Sequence, residues 1–100
     1  MKQSLIRILL IEDEEFDARR VKNTIAYFKD KIQIVSIVSN GDAALKLLKE
    51  SPQNYDVIVM DYQIAGTLHG VELIKKIKEL ENTIQIIVIT KYMIDFRITR

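Results

Sequence analysis

Four short apolar runs recur along the chain about every 25 residues, each of the first three followed by a stretch of helical periodicity. Leu5 to Ile11 ends in Ile8-Leu9-Leu10-Ile11, and Ile32 to Val38 is the second run. Tyr55 to Gln63 carries Val57-Ile58-Val59-Met60, and Thr83 to Ile89 carries Ile86-Ile87-Val88-Ile89. Unbroken apolar runs rich in β-branched residues suit strands buried on both faces, which belong to parallel sheets covered by helices. The first helix is predicted to reach about Phe28, with Ala18, Val21, Ile25 and Phe28 on one face and Arg19, Arg20 and Asn23 turned away. Ser39-Asn40-Gly41-Asp42 reads as a turn with a helix-capping acid, and Ala43 to Glu50 as a helix presenting Ala44, Leu45 and Leu48 inward. Ser51-Pro52-Gln53-Asn54 stops it. Val71 to Glu81 is predicted to bury Val71, Ile74 and Ile77, with Leu73 and Leu80 flanking that stripe. This alternation is a series of βαβ units, and right-handed crossovers nearly fix its topology as an open α/β sheet. At the end of the chain, Tyr92, Ile94, Phe96 and Ile98 alternate with Met93, Asp95, Arg97 and Thr99, as in a strand. The same residues also suit the start of a helix with Met93, Phe96 and Arg100 on one side.

Composition narrows the class. A chain of 100 residues, 48% hydrophobic and 29% charged, is the size and balance of one globular domain. A net charge of +1 gives no general attraction to nucleic acid or anionic lipid, so direct nucleic-acid binding by this domain is not expected. Cysteine is absent, which excludes a disulfide frame and a thiolate zinc site. No apolar run approaches the roughly 20 residues of a membrane span, and the N-terminus lacks a signal-peptide cleavage pattern. The expected location is the cytoplasm. His69 is the single histidine, so a multi-histidine metal site cannot form, and a lone loop histidine is most often just solvated.

The candidate chemistry lies at the strand ends. In an open α/β sheet, ligands bind in the crevice at the carboxyl ends of the strands. Asp61 closes the third strand there. Glu12-Asp13-Glu14-Glu15-Phe16-Asp17 follows the first. Acids at a helix N-terminus are favoured by the macrodipole, which accounts for Glu14, Glu15 and Asp17. It accounts less well for Glu12 and Asp13, which fall at the strand's own end. A loop lined with carboxylates repels free phosphate and lacks the glycines that a dinucleotide-binding turn needs. If the first and third strands are neighbours, three carboxylates converge, and like charges that close raise one another's pKa unless a cation offsets their repulsion. Oxygen-only ligands with open water positions suit Mg²⁺ better than Ca²⁺. Such an ion beside a carboxylate is a device for handling a phosphoryl group. Thr90, closing the fourth strand, offers a hydroxyl that can donate to a phosphoryl oxygen.

Five pieces in order, Ile8-Leu9-Leu10-Ile11-Glu12-Asp13-Glu14, Asn40-Gly41-Asp42-Ala43-Ala44-Leu45, Tyr55-Asp56-Val57-Ile58-Val59-Met60-Asp61, Gly70-Val71-Glu72-Leu73-Ile74 and Ile87-Val88-Ile89-Thr90, make the chain resemble the receiver domain of two-component response regulators over essentially its whole length. The resemblance implies a flavodoxin-like, doubly wound parallel sheet with strand order 2-1-3-4 and a single domain over residues 1–100. It implies that Asp61 is the phosphoacceptor, taking a phosphoryl group from a sensor histidine kinase or phosphotransfer protein, and that Asp13 and Asp61 bind Mg²⁺ directly. Glu12 would act on the metal through water, Gln63 would give it a backbone carbonyl, and Thr90 would be the switch hydroxyl. The domain would then be a signalling switch, not an enzyme beyond autodephosphorylation.

Two features depart from the family pattern. The loop after the acceptor carries Ala65 near the place of a usual proline and is one residue longer before Gly70. The family's fifth strand, whose end carries a phosphate-pairing lysine, and its fifth helix have no counterpart before Arg100, and Lys91 does not match that lysine. Without that strand the fourth would be an apolar parallel edge, a pairing hazard. If Arg100 is the true end, the expectation is self-association around Val88 or through the segment 92–100, or a rearranged tail from Tyr92 onward; the simpler alternative is that the 100 residues are a fragment of a longer regulator. A degenerate receiver that only binds partners is one alternative. An Mg²⁺-dependent aspartyl phosphohydrolase is another, although it would want an acid where Gln63 stands.

Overall fold

Each apolar run becomes a strand of one parallel sheet: β1 (Ile6–Ile11), β2 (Ile32–Val38), β3 (Val57–Asp61) and β4 (Gln85–Ile89). Three helices, α1 (Glu15–Ala26), α2 (Gly41–Glu50) and α3 (Gly70–Leu80), connect them, with a 3-10 turn at Pro52–Asn54. The computed structural model describes residues 4–61, 70–81 and 83–89. The order is β2-β1-β3-β4, as expected for the flavodoxin-like class. Adjacent β1 and β3 send Leu9, Ile11, Ile58 and Met60 to the face that α2 and α3 cover through Ala44, Leu48, Leu73 and Ile77. Alternate positions Ile8, Leu10 and Val59 point to the other face, where Ala18, Val21 and Ile25 of α1 meet them. Period-two alternation in strands that are apolar at every position is what feeds both layers at once.

Several local details differ from the sequence expectations. α1 stops at Ala26, and Phe28 lies in the following turn, half exposed, its carbonyl accepting from Lys31 and Ile32 N–H. The cap of α2 is Asn40, not Asp42: Asn40 has an extended backbone, and its Oδ1 accepts from the Ala43 N–H at 2.8 Å, while Asp42 is already in the first turn. In α3 the buried stripe is Gly70, Leu73 and Ile77, whereas Val71 is 50% exposed and Leu80 also faces out. The fourth run also changes. Ile84 is buried before β4 begins, but Ile87, Val88 and Ile89 are exposed because β4 is the sheet's last described strand.

One feature clamps the central pair β1–β3, and another sets the register of β1 against β2. Arg7, near the start of β1, donates its backbone N–H to Asp56 Oδ2 at 2.9 Å and its guanidinium to both carboxylate oxygens, Nε to Oδ2 at 3.2 Å and Nη2 to Oδ1 at 3.1 Å. The Asp56 N–H donates in return to the Arg7 carbonyl. On the other side of β1, the register against β2 shifts between Ile8 and Leu9, so Leu9 pairs with Ser36 and Val35 is passed over. This bulge places Ser36 Oγ 2.8 Å from the hydroxyl of buried Tyr55. It also lets the Glu12 N–H donate to the Val38 carbonyl, extending the β1–β2 ladder to the first acid.

Candidate metal centre

The parallel register β1–β3 pairs Ile11 with Met60, so the residues that follow each, Glu12 and Asp61, emerge side by side at the carboxyl edge of the sheet. Asp61 is the last residue of β3 and only 3% exposed; Glu12 is 9% exposed; Asp13 is exposed at the mouth. Each of the three carboxyls offers an oxygen within 4.8 Å of the others. The acids that the sequence singled out at two distant strand ends therefore meet in one cluster.

Local backbone geometry orients the set. The chain leaves β1 without entering a helix at once, and Glu12 Oε1 accepts the Glu14 N–H at 3.0 Å, folding its side chain back over the loop. Glu14 itself takes the extended N-cap position of α1, and Glu15 and Asp17 lie in the first helical turn, where the dipole favours them. Burial of two carboxylates beside a third is costly unless a cation balances them. The donors present, all oxygens, fit a hard divalent ion of the Mg²⁺ kind.

An open cleft of about 600 Å³ borders the cluster between α1 and the β2–α2 turn; Glu12, Asp13, Arg19, Lys22 and Ser39 are on its walls. The sequence reading turned Arg19 away from the core and gave Lys22 no role. Both follow Asp13 by about two turns of chain, and helical spacing from Glu15 would have placed Arg19 above the first turn: its Nη2 stands 3.6 Å from Glu15 Oε1. Gln63 and Thr90, the other two expected site residues, lie outside the described residues, as does the segment 92–100.

A largely buried acid cluster at the carboxyl edge of an open parallel sheet with helices on both faces is a candidate site for a metal ion. The response regulator receiver domain family matches residues 8–99, and the chain belongs to that family. It is 28% identical over 90 residues to the two-component response regulator ORR41 of Oryza sativa subsp. japonica, an alignment covering 90% of this chain and 69% of that protein. It is 31% identical over 85 residues to sporulation initiation phosphotransferase F of Bacillus subtilis, covering 84% of this chain and 64% of that protein. Among solved structures, the CheX–CheY–BeF3–Mg complex of Borrelia burgdorferi shares the fold, with a TM-score of 0.75 at 17% identity over 94% of this chain and 68% of that one. Receiver domains are, as a family, signalling modules that bind Mg²⁺ at an acidic cluster and interact with histidine kinases or phosphotransfer proteins. No helix among the described residues is long and apolar enough to cross a membrane.

Proposed function

We propose that this chain is a phosphoacceptor switch of a two-component system, working in the cytoplasm, with Asp61 as the acceptor. The observation that carries the reading is the meeting of Glu12, Asp13 and Asp61 within 4.8 Å at the ends of two adjacent strands. Asp13 and Asp61 would hold Mg²⁺ directly, Glu12 through water, and Gln63 by its carbonyl. When bound, the ion supplies charge neutralisation on the phosphoryl oxygens. A carboxylate oxygen of Asp61 attacks the phosphorus of a phosphohistidine on the donor kinase or phosphotransfer protein. The P–N bond breaks, its electron pair leaves with the imidazole nitrogen, and an acyl phosphate forms on Asp61. Burial of Asp61 at the sheet rim keeps bulk water away from that labile bond and fixes the direction of attack. The Thr90 hydroxyl then donates to a phosphoryl oxygen and biases the chain that follows β4, a local charge change read out as conformation.

The test uses a small donor, so that no particular kinase is needed. Incubation with Mg²⁺ and acetyl phosphate or phosphoramidate, followed by intact-mass measurement, is expected to add one phosphoryl group. Asp61→Asn and removal of divalent ions should each abolish the gain. Donor turnover without accumulation would point instead to an aspartyl phosphohydrolase. No gain and no turnover would leave a partner-binding receiver and overturn the proposal.

A further inference from the structure

β2 lies against β1 in two successive registers, and apolar burial does not explain the change between them. Ile6 to Ile8 pair with Ile32 to Ile34, and then Leu9 pairs with Ser36, passing over Val35. Had the first register continued, Leu9 would face Val35 and Ile11 would face Ile37. By strand alternation Val35 and Ile37 would then turn to the face covered by α2 and α3, and Ser36 and Val38 to the face of α1. That arrangement would give the α2 side two apolar residues. The observed one gives it Val38 alone, with Val35 39% and Ile37 41% exposed. A slip of this kind also interrupts the hydrogen-bonded ladder. Some other group must favour it, and Tyr55 can. Tyr55 is 7% exposed within the core cluster of Leu9, Leu48 and Ile58. A phenol buried there needs a hydrogen-bond partner for its hydroxyl. Ser36 Oγ supplies one at 2.8 Å, from the far side of β1. In the unslipped register Val35 would stand in that place, and its side chain can neither donate nor accept.

The slip carries through to the acid cluster. Ile11 pairs with Val38, and the Glu12 N–H donates to the Val38 carbonyl at 2.9 Å, so the residue seated beside Glu12 is Ser39. Glu12 and Ser39 share the walls of the open cleft that borders the cluster. Without the slip Val38 would take the place of Ser39 on that face, and the Glu12 N–H would meet the Ile37 carbonyl. A branched apolar side chain against a carboxylate only 9% exposed would favour the neutral acid and take up space that water needs to reach it. We propose that Tyr55 is a positioning residue for the metal site: through Ser36 it locks β2 in the register that puts Ser39, and not Val38, beside Glu12. The inference rests on the phosphoacceptor reading, in which Glu12 acts on the ion through water.

Two measurements test it, one on the register and one on the site. In metal-free buffer, the NMR scalar coupling across the hydrogen bond from the Glu12 amide should lead to the Val38 carbonyl in the unsubstituted chain. In Tyr55→Phe and in Ser36→Ala it should move to the Ile37 carbonyl. For the site, Mn²⁺ is the probe, counted by the paramagnetic resonance of the free ion, with Mg²⁺ as competitor. Tyr55→Phe and Ser36→Ala should each weaken binding roughly tenfold, the low end for groups that orient a ligand, and Ser36→Thr, which keeps a hydroxyl, should stay within about twofold. The double variant should bind no more weakly than either single one, because both remove the same bond. Ile77→Ala loosens the same core cluster without touching that bond, and it should leave Mn²⁺ binding unchanged despite a larger loss of stability. Coupling that stays on Val38 in both single variants overturns the proposal, as does a loss of affinity in Ile77→Ala equal to that in Tyr55→Phe. Should the unsubstituted chain take up no Mn²⁺, the phosphoacceptor reading fails, and the coupling alone then decides whether Tyr55 sets the register.

Discussion

Arg7 and Asp56 form the one two-ended side-chain clamp described between β1 and the chain entering β3, and its chemistry sets a pH signature. Hydrogen bonds from the Arg7 side chain, then from its backbone N–H, hold the Asp56 carboxyl below its ordinary value, and burial opposes them weakly. The side-chain hydrogen bond to Asp56 in turn raises the Arg7 guanidinium, with burial opposing it. A carboxyl whose folded pKa is depressed stabilises the fold above its unfolded pKa, and that contribution is lost as pH falls through the folded value. Asp56→Asn should therefore lower the urea midpoint modestly near pH 7. The gap to the unsubstituted chain should close as pH drops below about 4, the range where an unperturbed aspartate protonates. Both partners are substantially exposed, so added salt should narrow the gap as well. A gap that keeps its full neutral-pH size however far the pH is lowered would mean that Asp56 acts through shape instead of charge.

At the scale of elements, α3 shows where an apolar pattern runs out of information. Val71, Leu73, Ile74, Ile77 and Leu80 span a wide arc, and two different stripes through it satisfy helical spacing. The sheet decides between them by where it lies, and it takes Leu73 and Ile77. Ile77→Ala should cost about 2–5 kcal/mol in denaturant unfolding, the range for emptying a buried aliphatic site. Val71→Ala should stay within about 0.5 kcal/mol, as for an exposed position. Equal losses would put Val71 back in the core. The same limit explains Asn40 and Asp42, two good capping residues of which backbone φ and ψ select one. It explains β4 too, because an apolar run reports a strand's capacity for burial, and neighbours supply the burial itself. The strands were legible in the apolar runs, but their order, and with it the meeting of Glu12 and Asp13 with Asp61, followed from the resemblance to receiver domains, since βαβ winding fixes the hand of each crossover and not which strands are neighbours. Lys22 was not legible, since which wall a helix turns toward a cleft depends on its rotation over the sheet, and Arg19 was legible only through its i,i+4 spacing from Glu15.

Across the whole molecule, β1 and β3 are treated differently at their two ends. Arg7 grips Asp56 at one end, and three acids crowd together at the other. The same hydrogen-bonded ladder thus runs from an attractive anchor to a repulsive tip. Amide exchange should read this as a slope: in divalent-free buffer the deuterium uptake of Ile11, Glu12 and Asp61 should outpace that of Ile8 and Ile58. Saturating Mg²⁺ should flatten it from the tip only. Uptake that is uniform along both strands, with or without the ion, would mean that the crowded carboxylates leave no mark on the breathing of the backbone beneath them.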